Sequence, residues 1–134
     1  MKYEFFEHTA DVLFKAYGKN VEEQFSNAAL ALFSLVYDPL KVKPHLTRKI
    51  VVKGKDIQAL LYAFLEELLF LLDTEFFLLH EVLSLKIKED TLTATLTGDV
   101  ISSRYNVKEG MDIKAVTYHE MKITPSYVQV LLDI

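Results

Sequence analysis

Three short stretches hold the side chains with chemical capacity. They are EHTADV, with Glu7, His8 and Asp11; IKAVTYHE, with Lys114, Tyr118 and His119; and LLDI, with Asp133 and Ile134. The alternation in VQVLLDI reads as a strand. Tyr127, Gln129, Leu131 and Asp133 then point one way, and Val128, Val130, Leu132 and Ile134 the other. Asp133 falls on the more polar face, beside the α-carboxylate of Ile134. Two such groups repel, and one takes up a proton unless a cation relieves the conflict. Asp11 would add a third oxygen donor. An all-oxygen set suits Ca2+, Mg2+ or Mn2+. A contribution from His8 or His119 would bring in Zn2+ or Mn2+.

Each of these residues also has an ordinary reading. Asp11 follows Thr9-Ala10 and could be a turn residue bonding its own backbone. His119 shares strand parity with Ile113, Ala115 and Met121, which is the setting of a core histidine. Lys114 has the opposite parity and suits a solvated lysine. Glu66 and Glu67 read as the wet side of a helix, and His45 and His80 as loop or element-end residues.

Composition narrows the function classes. The chain has 134 residues, enough for one domain spanning 1–134 with a normal core. Hydrophobic residues make up 51% and charged residues 25%, which excludes disorder. A net charge of −4 argues against a strong direct grip on nucleic acid. There is no cysteine, hence no disulfide framework and no thiolate metal site. The start, MKYEFFEHTAD, carries acids where a signal peptide needs an apolar run. The longest apolar stretch, LLYAFLEELLFLL, is too short and too charged to span a bilayer. A cytoplasmic location without membrane contact is the expectation. The four glycines are scattered, so no phosphate loop is encoded, and no serine sits in a nucleophile elbow.

The elements that must position these residues follow from periodicity. A strand is predicted over Val12–Tyr17, with a shorter one over Tyr3–Glu7 before it. Asn20 and Glu23 form a capping box for a helix with Phe25, Ala28, Ala29, Leu32, Phe33 and Val36 on one face, ended by Pro39. LTRKIVVKG reads as a strand ending at Gly54. Asp56 caps a second, largely apolar helix reaching about Asp73, central enough to be covered on several sides. From about Phe76 the period becomes two, with Leu83, Leu85 and Ile87 in one strand, a turn at Glu89-Asp90, and Leu92, Ala94 and Leu96 in the next. SSRYNVKEG reads as a loop. MDIKAVTYHEMKI and SYVQVLLDI are the last strands. The fold class is α+β: two helices packed on one face of a mostly antiparallel sheet.

EHTADV, IKAVTYHE and LLDI, in that order and at these places, resemble the archease family over the length of the chain. The resemblance implies an accessory protein and not an enzyme: an activator of the RtcB-type RNA ligase of tRNA splicing. It would promote guanylylation of the ligase and its repeated turnover. It implies a metal site at Asp11, Asp133 and the carboxylate of Ile134, with Ca2+ the first expectation and Mn2+, Mg2+ or Zn2+ as alternatives. It implicates Lys114 in activation, and places His8 and His119 inside the motifs. The pattern departs at Gly98-Asp99, where Gly-Glu is expected, and at SSRYNV, where Arg104 stands in a stretch expected to hold a histidine. Alternatives are a chaperone-like modulator of RNA-modifying enzymes and a small metal-dependent hydrolase using Lys114 or His119 near a bound water.

Overall fold

The computed structural model describes residues 1–107 and 112–134. Strand β1 (Tyr3–Phe6) turns into β2 (Asp11–Tyr17). Helix α1 (Val21–Ser34) follows, then a short 3-10 helix (Pro39–Lys41), β3 (Leu46–Lys53), α2 (Ile57–Glu75), β4 (Phe77–Lys88), β5 (Thr91–Val100), β6 (Ala115–Ile123) and β7 (Tyr127–Asp133). The predicted strand start at Met111 and the loop residues Lys108, Glu109 and Gly110 lie outside the described residues.

Both helices begin where the capping chemistry places them. The Asn20 side chain accepts from the Glu23 N–H at 2.9 Å, and Asp56 accepts from the Ala59 N–H at 2.8 Å. Helix α1 ends earlier than the proline suggests. After Ser34 the N–H groups of Leu35 and Val36 turn to the carbonyls of Leu32 and Phe33, a tightening last turn. Ser34 Oγ also bonds the Ala31 carbonyl at 2.6 Å. Pro39 opens the 3-10 helix instead, capped by Asp38.

The architecture is α+β and antiparallel, with the strands divided between two sheets. One has the order β1-β2-β7-β6 and the other β3-β5-β4. Helix α1 packs on β2 and on β4, and α2 on β6 and on β3, so each helix touches both sheets. That arrangement covers the apolar surface of α2, where Leu60, Leu61, Phe64, Leu65, Leu68, Leu69 and Leu71 are buried. The inner faces supply Val12, Phe14 and Ala16 from one sheet and Leu92, Ala94 and Leu96 from the other. Phe14, Phe25, Phe33, Phe64 and Phe77 are fully buried. Each such side chain contributes about 1.5–3 kcal/mol of transfer free energy.

Two strands break the alternation read from sequence. In β4 the register shifts between Val82 and Ser84, so Leu83 is extruded and 54% exposed while Leu85 stays in the core. In β6 the register with β7 is lost between Thr117 and Lys122, and Glu120 takes a left-handed φ of 57°. His119 is therefore exposed, and it does not share the buried face of Ile113 and Met121. His80 lies within β4, where its Nδ1 is 3.0 Å from the Pro39 carbonyl. Among the described residues no helix is long and apolar enough to cross a membrane.

Candidate functional site

The long-range pairing of β2 with β7 builds the site. It aligns Asp11 directly with Asp133, Val12 with Leu132 and Leu13 with Leu131. Residues paired across antiparallel strands share a face. Val12 and Leu132 turn into the core, so Asp11 and Asp133 project together from the other side. The next strand continues the row, because Ala115 of β6 pairs with Asp133. The Lys114 N–H donates to the Asp133 carbonyl at 2.8 Å, fixing the start of IKAVTYHE against the end of β7. The Lys114 side chain is exposed.

His8 occupies the β1–β2 connection, which Ala10 closes with a left-handed φ of 62°. The imidazole lies between two carboxylates. Its Nε2 is 2.8 Å from Glu120 Oε2, and its Nδ1 is 3.7 Å from Asp11 Oδ2. The bulge in β6 presents Glu120 to it. Buried Gln129 fills the gap behind the bulge by donating to the Glu120 carbonyl at 2.8 Å. Gln129 and Leu131 are thus enclosed, although their strand parity matches exposed Asp133. Tyr118 stacks on Tyr62 of α2, with centroids 4.3 Å apart and planes 6° apart, which anchors the bulged strand to that helix.

Sequence reasoning left Glu120 without a role. It is the residue after His119 in the motif, but nothing in local sequence marks the bulge that aims it. Glu7 and His119 are exposed beside the site. Asp11, Asp133 and His8 gather at the corner where β2 and β7 meet, with the Lys114 backbone tied to Asp133 at its edge. Among the described residues no set of three or more His, Cys, Asp or Glu side chains is arranged to hold a metal ion. Asp11 and Asp133, paired across β2 and β7, would supply carboxylate oxygen donors. Like charges set directly opposite are destabilising unless neutralised, so the donor chemistry fits a hard divalent cation.

Asp99 belongs to a different cluster. It is 9% exposed at the end of β5 and accepts from the Tyr105 hydroxyl at 2.7 Å and from the Val100 N–H at 2.9 Å. His45 Nδ1 lies 3.1 Å and Arg104 Nη1 3.5 Å from its Oδ2. The Tyr105 hydrogen bond, followed by the Val100 N–H and the His45 and Arg104 charges, holds the Asp99 carboxyl below its ordinary value, against the opposing effect of burial. Tyr105 also accepts from the Lys43 N–H at 3.0 Å. Asp99 and Arg104, the two departures from the expected pattern, therefore meet in a knot that ties the 101–107 loop to the approach to β3.

Comparison with known proteins agrees with this architecture. Residues 3–134 match the sequence model of the Archease protein family (MTH1598/TM1083). The chain is similar to the protein archease of Saccharolobus islandicus, with 44% identity over 90% of this chain and 87% of that protein. It is 36% identical to the protein archease of Methanosarcina barkeri over 99% of this chain and 96% of that protein. The solution structure of Methanobacterium thermoautotrophicum protein 1598 superimposes with a TM-score of 0.79 at 35% identity, covering 99% of each chain. A Thermotoga maritima archease described as a possible chaperone shares the fold, with a TM-score of 0.52 at 17% identity over 96% of this chain and 94% of that one.

Proposed function

Because the chain belongs to the archease family, we propose that it is a metal-binding accessory protein that activates an RtcB-type RNA ligase in tRNA splicing. It acts by promoting guanylylation of the ligase and multiple turnover, and performs no ligation itself. The observation that carries the reading is the direct alignment of Asp11 with Asp133. Such a pair is costly on a bare surface and useful around a divalent cation. Asp11, Asp133 and the Ile134 carboxylate hold the ion, with Ca2+ the first choice for three oxygen donors and Mn2+ or Mg2+ as alternatives. Bound there, the metal supplies positive charge at the surface that meets the ligase. His8 braces Asp11 and Glu120, and the Lys114 backbone N–H ties the start of its motif to the Asp133 carbonyl, leaving the exposed ammonium available to a partner.

Ligase guanylylation at limiting Mn2+ with labelled GTP tests this reading. Wild-type protein stimulates the reaction, and Asp133→Ala lowers the stimulation about 10–100-fold, the range for disturbed metal sites. Lys114→Gln loses stimulation but keeps metal affinity. Equal stimulation by wild type and Asp133→Ala reduces Asp133 to a strand end. No stimulation by folded wild-type protein with a cognate ligase overturns the proposal.

A further inference from the structure

The outer face of the β3-β5-β4 sheet is a regular grid turned away from both helices. Strand pairing arranges it in three rows, Lys53-Thr91-Lys88, Val51-Thr93-Lys86 and Lys49-Thr95-Ser84, closed at one end by Thr47, buried Thr97 and Glu81. All four lysines are exposed, and among the described residues none makes an ion pair. Glu81 is the single acid in the grid and sits at one end, while Glu89 and Asp90 form the turn at the other. The net charge of −4 thus conceals a segregated basic face. Rows two residues apart are about 6.7 Å apart, and three strands give a platform about 10 Å wide.

We propose that this face binds the phosphodiester backbone of single-stranded RNA. Lysine, threonine and serine are donors that contact phosphate oxygens without reading bases. Protein–protein interfaces favour aromatic and arginine anchors and are depleted in lysine at their centres. The grid has no aromatic residue and no arginine, and its apolar members are Val51 and the neighbouring bulged Leu83. Without an aromatic platform the bases do not stack on the protein, so binding is indifferent to sequence. The choice of RNA as the polyanion rests on the proposed function, and the contact is measured with no ligase present, so its failure is distinguishable from failure of ligase activation.

The test is fluorescence anisotropy with labelled oligouridine of about 20 nucleotides, titrated with the full chain. The expected affinity is micromolar at low salt, with a slope of log K against log salt near −3 for about four neutralised phosphates. That corresponds to a loss of about 50-fold between about 50 and about 200 mM salt. The variant with Lys49, Lys53, Lys86 and Lys88 all changed to Gln loses at least about tenfold in affinity. Lys49→Glu/Lys86→Glu does the same, and both variants keep the wild-type melting temperature. Absence of wild-type binding at low salt overturns the proposal. So does wild-type affinity in the folded lysine variants. Displacement of the RNA by polyglutamate at equal charge concentration assigns the face to acidic protein surfaces and overturns it as well.

Discussion

Asp11 and Asp133 face each other from adjacent strands, and their mutual repulsion sets what substitution does there. With no metal present, Asp11→Asn removes a like-charge pair and raises stability by about 0.2–1 kcal/mol. The same change abolishes the response to Ca2+. For wild type, ligand at about 100 times its dissociation constant stabilises by ~2.7 kcal/mol, or roughly 10 °C in a chain of this size. Scanning calorimetry with and without Ca2+ reads both effects, and an unchanged Ca2+ response in Asp11→Asn counts against the site. Asp99 behaves differently because it is enclosed. Its carboxyl titrates below the ordinary value, so the folded state binds its proton less readily than the unfolded chain does. The stability it contributes is therefore complete above the ordinary carboxylate range and is lost as pH falls through the depressed folded value. Asp99→Asn costs about 1.5–3 kcal/mol at neutral pH, the worth of hydrogen bonds to a charged group. Urea melts of the two proteins converge in acid, and a constant gap at all pH values would exclude the ionised form as the cause. Of the residues gathered near this corner, Asp11, Asp133, Ile134, Lys114 and His8 were marked in the sequence by the three ordered motifs. The role of Glu120 was not legible, because its orientation comes from a backbone irregularity that no side-chain pattern records.

At the scale of elements, capping and periodicity made both helices and most strand limits readable. Asn20 and Asp56 act through hydrogen bonds three residues along the chain, and such local bonds are visible in sequence. The bulges were hidden because each is a slip in backbone pairing with the following strand, which the side-chain alternation does not record. Gly98 shows how tight that partnership is. A Cβ there would collide with the Leu78 carbonyl oxygen and come within 2.8 Å of the Phe77 ring. Gly98→Ala therefore forces β4 and β5 apart and costs about 3 kcal/mol. Urea unfolding checks this through a lower midpoint at constant slope. A neutral Gly98→Ala would mean that the β4 register is soft, contrary to its close packing.

Across the whole molecule, the α+β class was legible and the division into two sheets was not. Alternation tells that a segment is a strand, but not which segment lies beside it. The pairing of residues 11–17 with 127–133 spans almost the entire chain and leaves no local trace. The β3-β5-β4 sheet is different, since it is assembled wholly from residues 46–100. This contrast bears on biosynthesis. Pairings that close long loops form slowly, because their entropy is lost before contact energy is gained. A nascent chain can assemble the second sheet early, while Val12, Phe14 and Ala16 wait for β7 to emerge. The corner where Asp11 meets Asp133 is thus among the last parts of the molecule to exist. A chain that lacks β7 does not display it, and whatever recognises that corner recognises β2 and β7 already paired.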